Sequence, residues 1–293
     1  MEIRVLRYFL TVIREESITR AAEILHITQP TLSRQLAQLE EELGVTLFTR
    51  GTRKITLTHE GILMRRRAEE IIELVDKAEK EVSQQNEVLE DTISLGCGDL
   101  HAVQILAKII ASFSSLYPKV NFDLYTASAD HIKERIDKGL TDIGLLLEPV
   151  DLSKYEFIRI PQKEHWVALL PADSPLTEKD FITPNDLLNI PLILPYRSNM
   201  QSELANWFGD TFDQINVLFK SNLISNAAVM VQQGLACAIV IEGSSSFWDS
   251  KFIQTRPLRP DLSTSTAIAW KRNQPFTLAT SKFIAFAKNY LKE

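Results

Sequence analysis

The sequence has 293 residues, of which 45% are apolar and 24% charged, so it excludes a disordered or fibrous chain and predicts a globular protein of two or three domains. Its net charge is −6, but residues 1–68 carry a net +3 and the remainder a net −9. This asymmetry excludes a uniformly basic surface and favours nucleic-acid binding at one end only.

Targeting signals are not evident in the sequence. The first residues lack the basic and apolar regions of a signal peptide, and no apolar run is long enough to span a bilayer. Cys97 and Cys237 have no metal-ligand spacing, and free thiols fit a reducing compartment, with a redox-sensor role as the alternative. We therefore expect a cytoplasmic protein with no metal, no cofactor and no membrane partner.

The first predicted elements are three short helices. Apolar residues recur at helical spacing in the first of them, at Leu6, Phe9, Leu10 and Ile13. Ser17 and Thr28 are N-cap residues for the second and third helices, and Gly44 ends the third. Short helices joined by tight turns predict a helix-turn-helix.

The outward face of the third helix carries polar side chains suited to reading base edges. Arg34 can form two hydrogen bonds with guanine, and Gln35 and Gln38 can do the same with adenine. Thr31 adds a hydroxyl and a methyl group. These residue types near the start of a helix predict a recognition helix in a major groove, with a solvated helix face as the alternative.

A basic hairpin is predicted after Gly44. Residues 45–49 and 54–58 read as two strands, and the turn between them gathers Arg50, Arg53 and Lys54. Cations at this position can lie along phosphates or enter a minor groove. We interpret the hairpin as a wing, and a solvated basic turn is the alternative.

The segment from residue 17 to residue 61 reads SITRAAEILHITQPTLSRQLAQLEEELGVTLFTRGTRKITLTHEG. It resembles the signature of LysR-type transcriptional regulators. The segment matches the frame of that signature without a gap, in the order AA, QP.LS, LE..LG, LF.R and LT..G. The resemblance implies that the third helix and the wing contact DNA. The predicted DNA-binding set is Arg20, Gln29, Thr31, Ser33, Arg34, Gln35, Gln38, Arg50, Arg53 and Lys54.

A long helix is predicted from Thr58 to about Leu89, because this segment has no proline and one glycine. Heptad spacing predicts a coiled-coil dimer seam of Met64, Ala68, Ile71, Val75, Ala78 and Val82. Packing on the chain's own core is the alternative. Paired helices would place two heads on an interrupted inverted repeat in double-stranded DNA, and the sequence leaves homodimer and homotetramer open.

Strands and helices alternate from residue 92 onward, for example at Thr92–Gly96, Val103–Leu116 and Ile143–Leu147, and again from about Leu192. This alternation predicts parallel sheets with helices on both faces, in two lobes. The order resembles the periplasmic-binding-protein-like effector domain of the same family. One departure is Ala236, which stands where a glycine is usual.

Ligands of such sheets bind at the carboxyl ends of strands, beside helix N-termini. These positions give the predicted effector-binding set, which is Asp99, Leu100, His101, Thr126, Ser128, Tyr196, Arg197, Ser198, Asn222 and Ser225. Each residue also fits a capping or loop role. Arg197 can clamp a carboxylate whereas Asp99 would repel one, so the charge of the effector stays open.

The sequence thus predicts a multidomain α+β and α/β fold. A winged helix-turn-helix domain is expected at 1–58, a linker and dimerisation helix at 59–90, and a two-lobed effector-binding domain at 91–293. Lobe one comprises about 91–161 and 268–293, and lobe two about 162–267.

The predicted function is sequence-specific transcription regulation, modulated by a small molecule bound between the lobes, with RNA polymerase as a further partner. Two rival interpretations are an enzyme with a Cys97/His101 dyad and an architectural DNA binder with an inert body. The enzyme has little support, because the sequence shows no phosphate-binding loop, zinc-ligand spacing or nucleophile elbow.

Overall fold

The computed structural model describes residues 1–50, 55–83, 89–243 and 248–292, and the side chains of all of these except residues 50 and 80–83. The chain divides into two compact units, Met1–Gln85 and Asn86–Glu293. Each unit has hydrophobic core clusters of its own.

The first unit begins with three helices and a two-stranded hairpin. These elements are α1 (Ile3–Glu15), α2 (Ile18–Ile24), α3 (Gln29–Leu43), β1 (Phe48–Arg50) and β2 (Ile55–Leu57). The two strands pair antiparallel. The arrangement confirms the predicted winged helix-turn-helix.

Local capping explains where the helices of this unit begin and end. The Ser17 hydroxyl accepts a hydrogen bond from the Arg20 amide at 3.3 Å, and the Thr28 hydroxyl accepts one from the Thr31 amide at 3.4 Å. Gly44 ends α3 with φ of +67°, a left-handed conformation that favours glycine. Leu6, Phe9 and Leu32 are almost fully buried at the centre of the three helices.

A long helix, α4 (His59–Ser83), completes the first unit. It packs against α1, and Ala68 is fully buried within its own chain, with Met64 and Ile71 packed against the same core. The predicted dimer seam is therefore wrong at Ala68, because this side chain already fills intramolecular space. The Val82 side chain lies outside the described residues. Among the described side chains of α4, the large apolar ones that are exposed are Ile62, Leu63 and Leu74, and the smaller Ala78 of the predicted seam is exposed as well.

The second unit contains eleven strands and five α-helices within its described residues. In chain order these are β3 (Thr92–Cys97), α5 (Val103–Leu116), β4 (Asn121–Thr126), α6 (Ala129–Asp137), β5 (Ile143–Leu147), β6 (Tyr155–Arg159), β7 (Glu164–Pro171), β8 (Pro191–Pro195), α7 (Ser198–Phe208), β9 (Asn216–Ser221), α8 (Ile224–Gln232), β10 (Cys237–Ile241), β11 (Ile253–Pro257), β12 (Ser263–Thr264), β13 (Thr266–Lys271) and α9 (Leu278–Tyr290).

The strands form two separate sheets, one in each lobe. The sheet of lobe one has the order β4-β3-β5-β13-β6, and that of lobe two has the order β11-β7-β10-β8-β9, with β12 beside β7. The chain thus leaves lobe one after β6, forms lobe two and returns at β13. This arrangement confirms the predicted two-lobed α/β domain.

Both sheets are mixed, which corrects the expectation of parallel sheets. Strands β3, β4 and β5 are parallel, but β13 runs antiparallel to both β5 and β6. In lobe two, β7 runs antiparallel to β10 and β11. The cause is the double crossover, because a strand that returns from the other lobe enters the sheet from the opposite end.

No helix in the described ranges is long and apolar enough to cross a membrane.

Candidate functional site

The exposed face of α3 has Arg34 near its middle. Arg34 lies opposite the buried Leu32 and Leu36, and its exposed guanidinium makes no ion pair within the described part of the chain. Thr31 is half-buried, and its hydroxyl lies 2.8 Å from the Thr28 hydroxyl. A solvent-facing cation on a helix with a capped first turn is suited to contact a base edge or a phosphate.

The other predicted DNA-binding residues do not share a single face. Arg20 and Gln29 are exposed near the starts of α2 and α3, and Ser33 is half-buried. Gln35 and Gln38 border a shallow cleft beside the first residues of α1. Gln38 also donates a hydrogen bond of 3.4 Å to Glu42.

The wing is described only in part. Arg53 and Lys54 lie outside the described residues, as does the Arg50 side chain, so the predicted phosphate contacts of the wing stay a prediction.

Two residues that hold the base of the wing were absent from the predicted site. Oε1 of Glu40 accepts the amides of Leu47 at 2.6 Å and Phe48 at 3.2 Å. A Cβ on Gly61 would stand 2.1 Å from the Leu47 carbonyl oxygen, so α4 can approach the wing only through glycine. The signal was present, because both residues occupy fixed positions in the LE..LG and LT..G parts of the signature.

A cavity of about 100 Å³ lies between the two lobes of the second unit. Lobe one contributes the loops after β3 and β4 and the end of β5, and lobe two contributes the ends of β8, β9 and β10. Most of its wall is apolar, with Leu100, Leu145, Ile193, Met200, Ile224 and Ile239 among the lining residues.

Six members of the predicted effector-binding set line this cavity, namely Asp99, Leu100, Ser128, Tyr196, Arg197 and Asn222. The remaining four do not. His101 borders a separate cleft, Thr126 is exposed at the end of an edge strand, and Ser198 and Ser225 are exposed near the starts of α7 and α8. Effector contacts of these four residues stay a prediction, and the structure shows only that their side chains are not part of this cavity wall.

Arg197 forms a polar connection between the lobes. Its Nε and Nη2 donate to the two carboxylate oxygens of Asp130 on α6, each at 3.0 Å. Nη1 donates to the Leu147 carbonyl at 3.1 Å, and Nη2 to the Pro149 carbonyl at 3.0 Å. Arg197 is 9% exposed, and four of its five N–H groups are therefore directed at lobe one.

A second polar connection involves Glu164, at the start of β7. Its buried carboxylate accepts the amides of His101 at 3.0 Å and Ala102 at 2.8 Å, at the N-terminus of α5. Ala102 is the N-cap of α5 and His101 precedes it, so the carboxylate lies at the positive end of the helix dipole. Gly243 approaches the same backbone, since a Cβ there would stand 1.8 Å from the His101 nitrogen.

Two residues that line the cavity each contain a buried polar atom without a partner in the described part of the chain. Oδ2 of Asp99 and Nε1 of Trp166 are inaccessible, and neither makes a hydrogen bond to the residues that the structure describes. The carboxylate of Asp99 also affects the neighbouring Cys97. Burial, and secondarily the negative charge of Asp99, raise the pKa of the Cys97 thiol.

Family models match most of the chain. Residues 86–292 match the model described as LysR substrate binding domain. Residues 3–62 match the model described as bacterial regulatory helix-turn-helix protein, lysR family.

Known proteins resemble the chain over its full length. The Hca operon transcriptional activator HcaR of Escherichia coli is 29% identical over 297 residues, which covers 99% of this chain and 98% of that protein. The crystal structure of CbnR, a LysR family transcriptional regulator, has a TM-score of 0.76 at 20% identity, with 100% of both chains covered. Full-length BenM has a TM-score of 0.56 at 27% identity, covering 100% of this chain and 96% of that one.

Proposed function

The chain belongs to the LysR family of DNA-binding transcription regulators, and from its structure we propose that its operator binding or promoter activation is controlled by a small molecule in the cavity between the lobes. The chain is a regulator with an effector-binding domain rather than an enzyme.

The observation that supports this proposal is the composition of the cavity wall. It combines the β3 and β4 loops of lobe one with the strand ends of lobe two, so a ligand there contacts both lobes. A ligand that contacts both lobes changes their preferred separation by its differential affinity for the open and closed states. Coupling of this kind changes DNA affinity by about 1–3 kcal/mol in typical regulators.

The experiment is a screen of metabolites for thermal stabilisation of the full chain, followed by DNase footprinting on its operator with the ligand found. A ligand at 100 times its Kd stabilises the folded state by about 2.7 kcal/mol. Ala227→Leu, which adds bulk to the cavity wall, is expected to abolish the ligand-induced change. Ala285→Leu, on the exposed face of α9, is the matched control. An unchanged response in Ala227→Leu would place the effector elsewhere.

For the winged helix-turn-helix of the first unit, which we call the head, we propose that α3 reads the operator and that Arg34 contacts a base edge. Arg34→Ala should then lose about 1–3 kcal/mol of discrimination at one base pair, while Arg53→Ala should weaken binding to all sequences and reduce its salt dependence. Competition binding on an operator and on random DNA separates the two effects. Equal losses on both DNAs for Arg34→Ala would refute its assignment.

For the assembly, we propose a homodimer or homotetramer that binds an interrupted inverted repeat. The support is the exposed apolar edge of α4, where Leu63 is 54% and Leu74 38% exposed. We propose this edge as the dimer contact of α4, in place of the predicted seam through the buried Ala68. Because its target is the chromosome, we place the regulator in the cytoplasm, with RNA polymerase as a further partner at the promoter.

A further inference from the structure

Three polar contacts hold the two lobes together around the cavity. Arg197, at the start of α7 in lobe two, donates four hydrogen bonds to lobe one at 3.0 to 3.1 Å. Glu164 accepts two amides at the start of α5, at 3.0 and 2.8 Å. The Thr264 hydroxyl donates to the Glu148 carbonyl at 2.7 Å. All three side chains that cross from lobe two are buried, and separating the lobes would break their hydrogen bonds.

These contacts limit the size of the cavity, whose volume is about 100 Å³. Within each lobe its wall is packed core, since Leu145, Ile193 and Met200 are each 2% exposed or less. A close-packed wall cannot make room without a loss of packing energy, so a larger ligand would have to part the lobes. An apolar cavity of roughly 150 Å³ in an engineered protein encloses benzene. The space between the lobes therefore suits about one aromatic ring.

The polar side chains in the cavity wall are already hydrogen-bonded. Ser128 Oγ lies 2.9 Å from His131 Nδ1, and Ser221 Oγ donates to a backbone carbonyl at 2.6 Å. Arg197 directs its N–H groups at lobe one, as described above. A polar ligand group buried among these side chains would exchange its hydrogen bonds to water for few or none, which is unfavourable.

Other polar groups differ in whether a ligand can reach them. Oδ2 of Asp99 and Nε1 of Trp166 are inaccessible, so a molecule in the cavity does not contact them. Tyr196 and Asn222 also line the cavity, but both are exposed, with Tyr196 at 66%. A polar ligand group beside these two residues keeps its contact with water.

From these contacts we propose that the effector of this chain has an apolar body of about one ring, held between the lobes, and one polar end. The polar end lies beside Tyr196 and Asn222 at the margin of the cavity. Because that end stays hydrated, its charge is not fixed by the wall. This ligand chemistry rests on the proposed effector role of the cavity and specifies the size and polarity of the molecule that binds there.

Three uncharged probes test the proposal, namely 4-methylphenol, benzene-1,4-diol and 2-naphthol. Each is titrated anaerobically into the full chain by calorimetry at pH 7. The first two have nearly the same size and differ in whether the buried end is a methyl or a hydroxyl group, whereas 2-naphthol adds a second ring. We expect 4-methylphenol to bind at least about tenfold more tightly than either, because a buried hydroxyl lacks partners and a second ring must part the lobes.

Met200→Ala tests the size limit, because Met200 lines the cavity and is 2% exposed. The space that it vacates should strengthen 2-naphthol at least about tenfold relative to 4-methylphenol. Met230→Ala is the matched control and should leave this ratio unchanged, because Met230 of α8 is 38% exposed and is not part of the cavity wall. Ile224→Ala, at a half-buried position of the same wall, provides the test if Met200→Ala does not fold. Arg197→Met, which loosens the contact between the lobes, should relax the size limit in the same direction.

The outcomes separate the ligand chemistry from the role of the cavity. If 2-naphthol binds the wild-type chain as tightly as 4-methylphenol, the size limit is wrong, and if benzene-1,4-diol does so, the position of the polar end is wrong. If no probe binds up to its solubility limit, but a metabolite found by screening does and Ala227→Leu abolishes its effect, the ligand chemistry is refuted and the cavity remains the effector site. If Ala227→Leu leaves the binding of both probes and metabolite unchanged, the proposed function is refuted as well.

Discussion

Replacing Arg197 by methionine tests whether the connection between the lobes stabilises the second unit. Methionine keeps the apolar stem and removes every hydrogen bond of the guanidinium. The Leu147 and Pro149 carbonyls then lose charge-assisted donors at 3.1 and 3.0 Å. A hydrogen bond to a charged group contributes about 1.5–3 kcal/mol, whereas the pair with Asp130 is screened by solvent and contributes about 0–1 kcal/mol. Arg197→Met should therefore cost about 3–7 kcal/mol.

Asp130→Asn is the matched control, because the Asp130 side chain is 57% exposed. Its substitution removes only the screened ion pair and should cost about 1 kcal/mol or less.

Tryptophan fluorescence during urea unfolding measures both variants on the full chain. All four tryptophans, Trp166, Trp207, Trp248 and Trp270, lie in the second unit, so the signal reports that unit alone. A loss below about 1 kcal/mol for Arg197→Met, or equal losses for both variants, would show that the carbonyl contacts do not hold the lobes together.

Three further predictions address other parts of the chain. Gly61→Ala should destabilise the head by several kcal/mol, because the new Cβ meets the Leu47 carbonyl, and differential scanning calorimetry showing a loss below about 1 kcal/mol would contradict this. Burial raises the pKa of Cys237 from 9.0 to about 11, so this thiol stabilises the fold below pH 9 and the contribution is lost as the pH rises towards 11. Iodoacetamide should accordingly leave Cys237 unmodified in the native chain at pH 8 and modify it in urea, and equal rates in both states would refute its burial. Leu74→Asp should dissociate the proposed homo-oligomer in sedimentation velocity, with Leu74→Ala as the milder control, and an unchanged oligomer would exclude this edge of α4 from the interface.

The elements with strong local signals were predictable from the sequence. Val103–Leu116 and Ile143–Leu147 were predicted with the bounds that the structure shows, because one is a long amphipathic helix and the other a continuous apolar strand. The strand β6, with the sequence YEFIR, was missed. It lies at the edge of its sheet, and among the strands that the structure describes it pairs only with β13, which follows it by more than a hundred residues, so its stability is not a local property.

The candidate site was predictable at the level of loops but not of side chains. The loops that surround the cavity follow from strand order, and two residues chosen by this rule, Asp99 and Arg197, line the cavity. The sequence could not show that the Arg197 guanidinium is already hydrogen-bonded. Its partner Asp130 is 67 positions away and belongs to the other lobe. The seam prediction failed at Ala68 for a similar reason, since one apolar stripe can face either a partner helix or the chain's own α1.

The contact between α1 and α4 has a consequence for how the protein can be divided and recombined. Ala68 fills space in the head, and Arg7 forms an ion pair of 2.5 Å with Asp76, further along the same helix. A fragment cut at residue 58 would leave the buried side of α1 open to water. A chimera that joins this head to a different sensor should therefore retain the native sequence to at least residue 76, and the transplantable module is the head together with the first half of its linker.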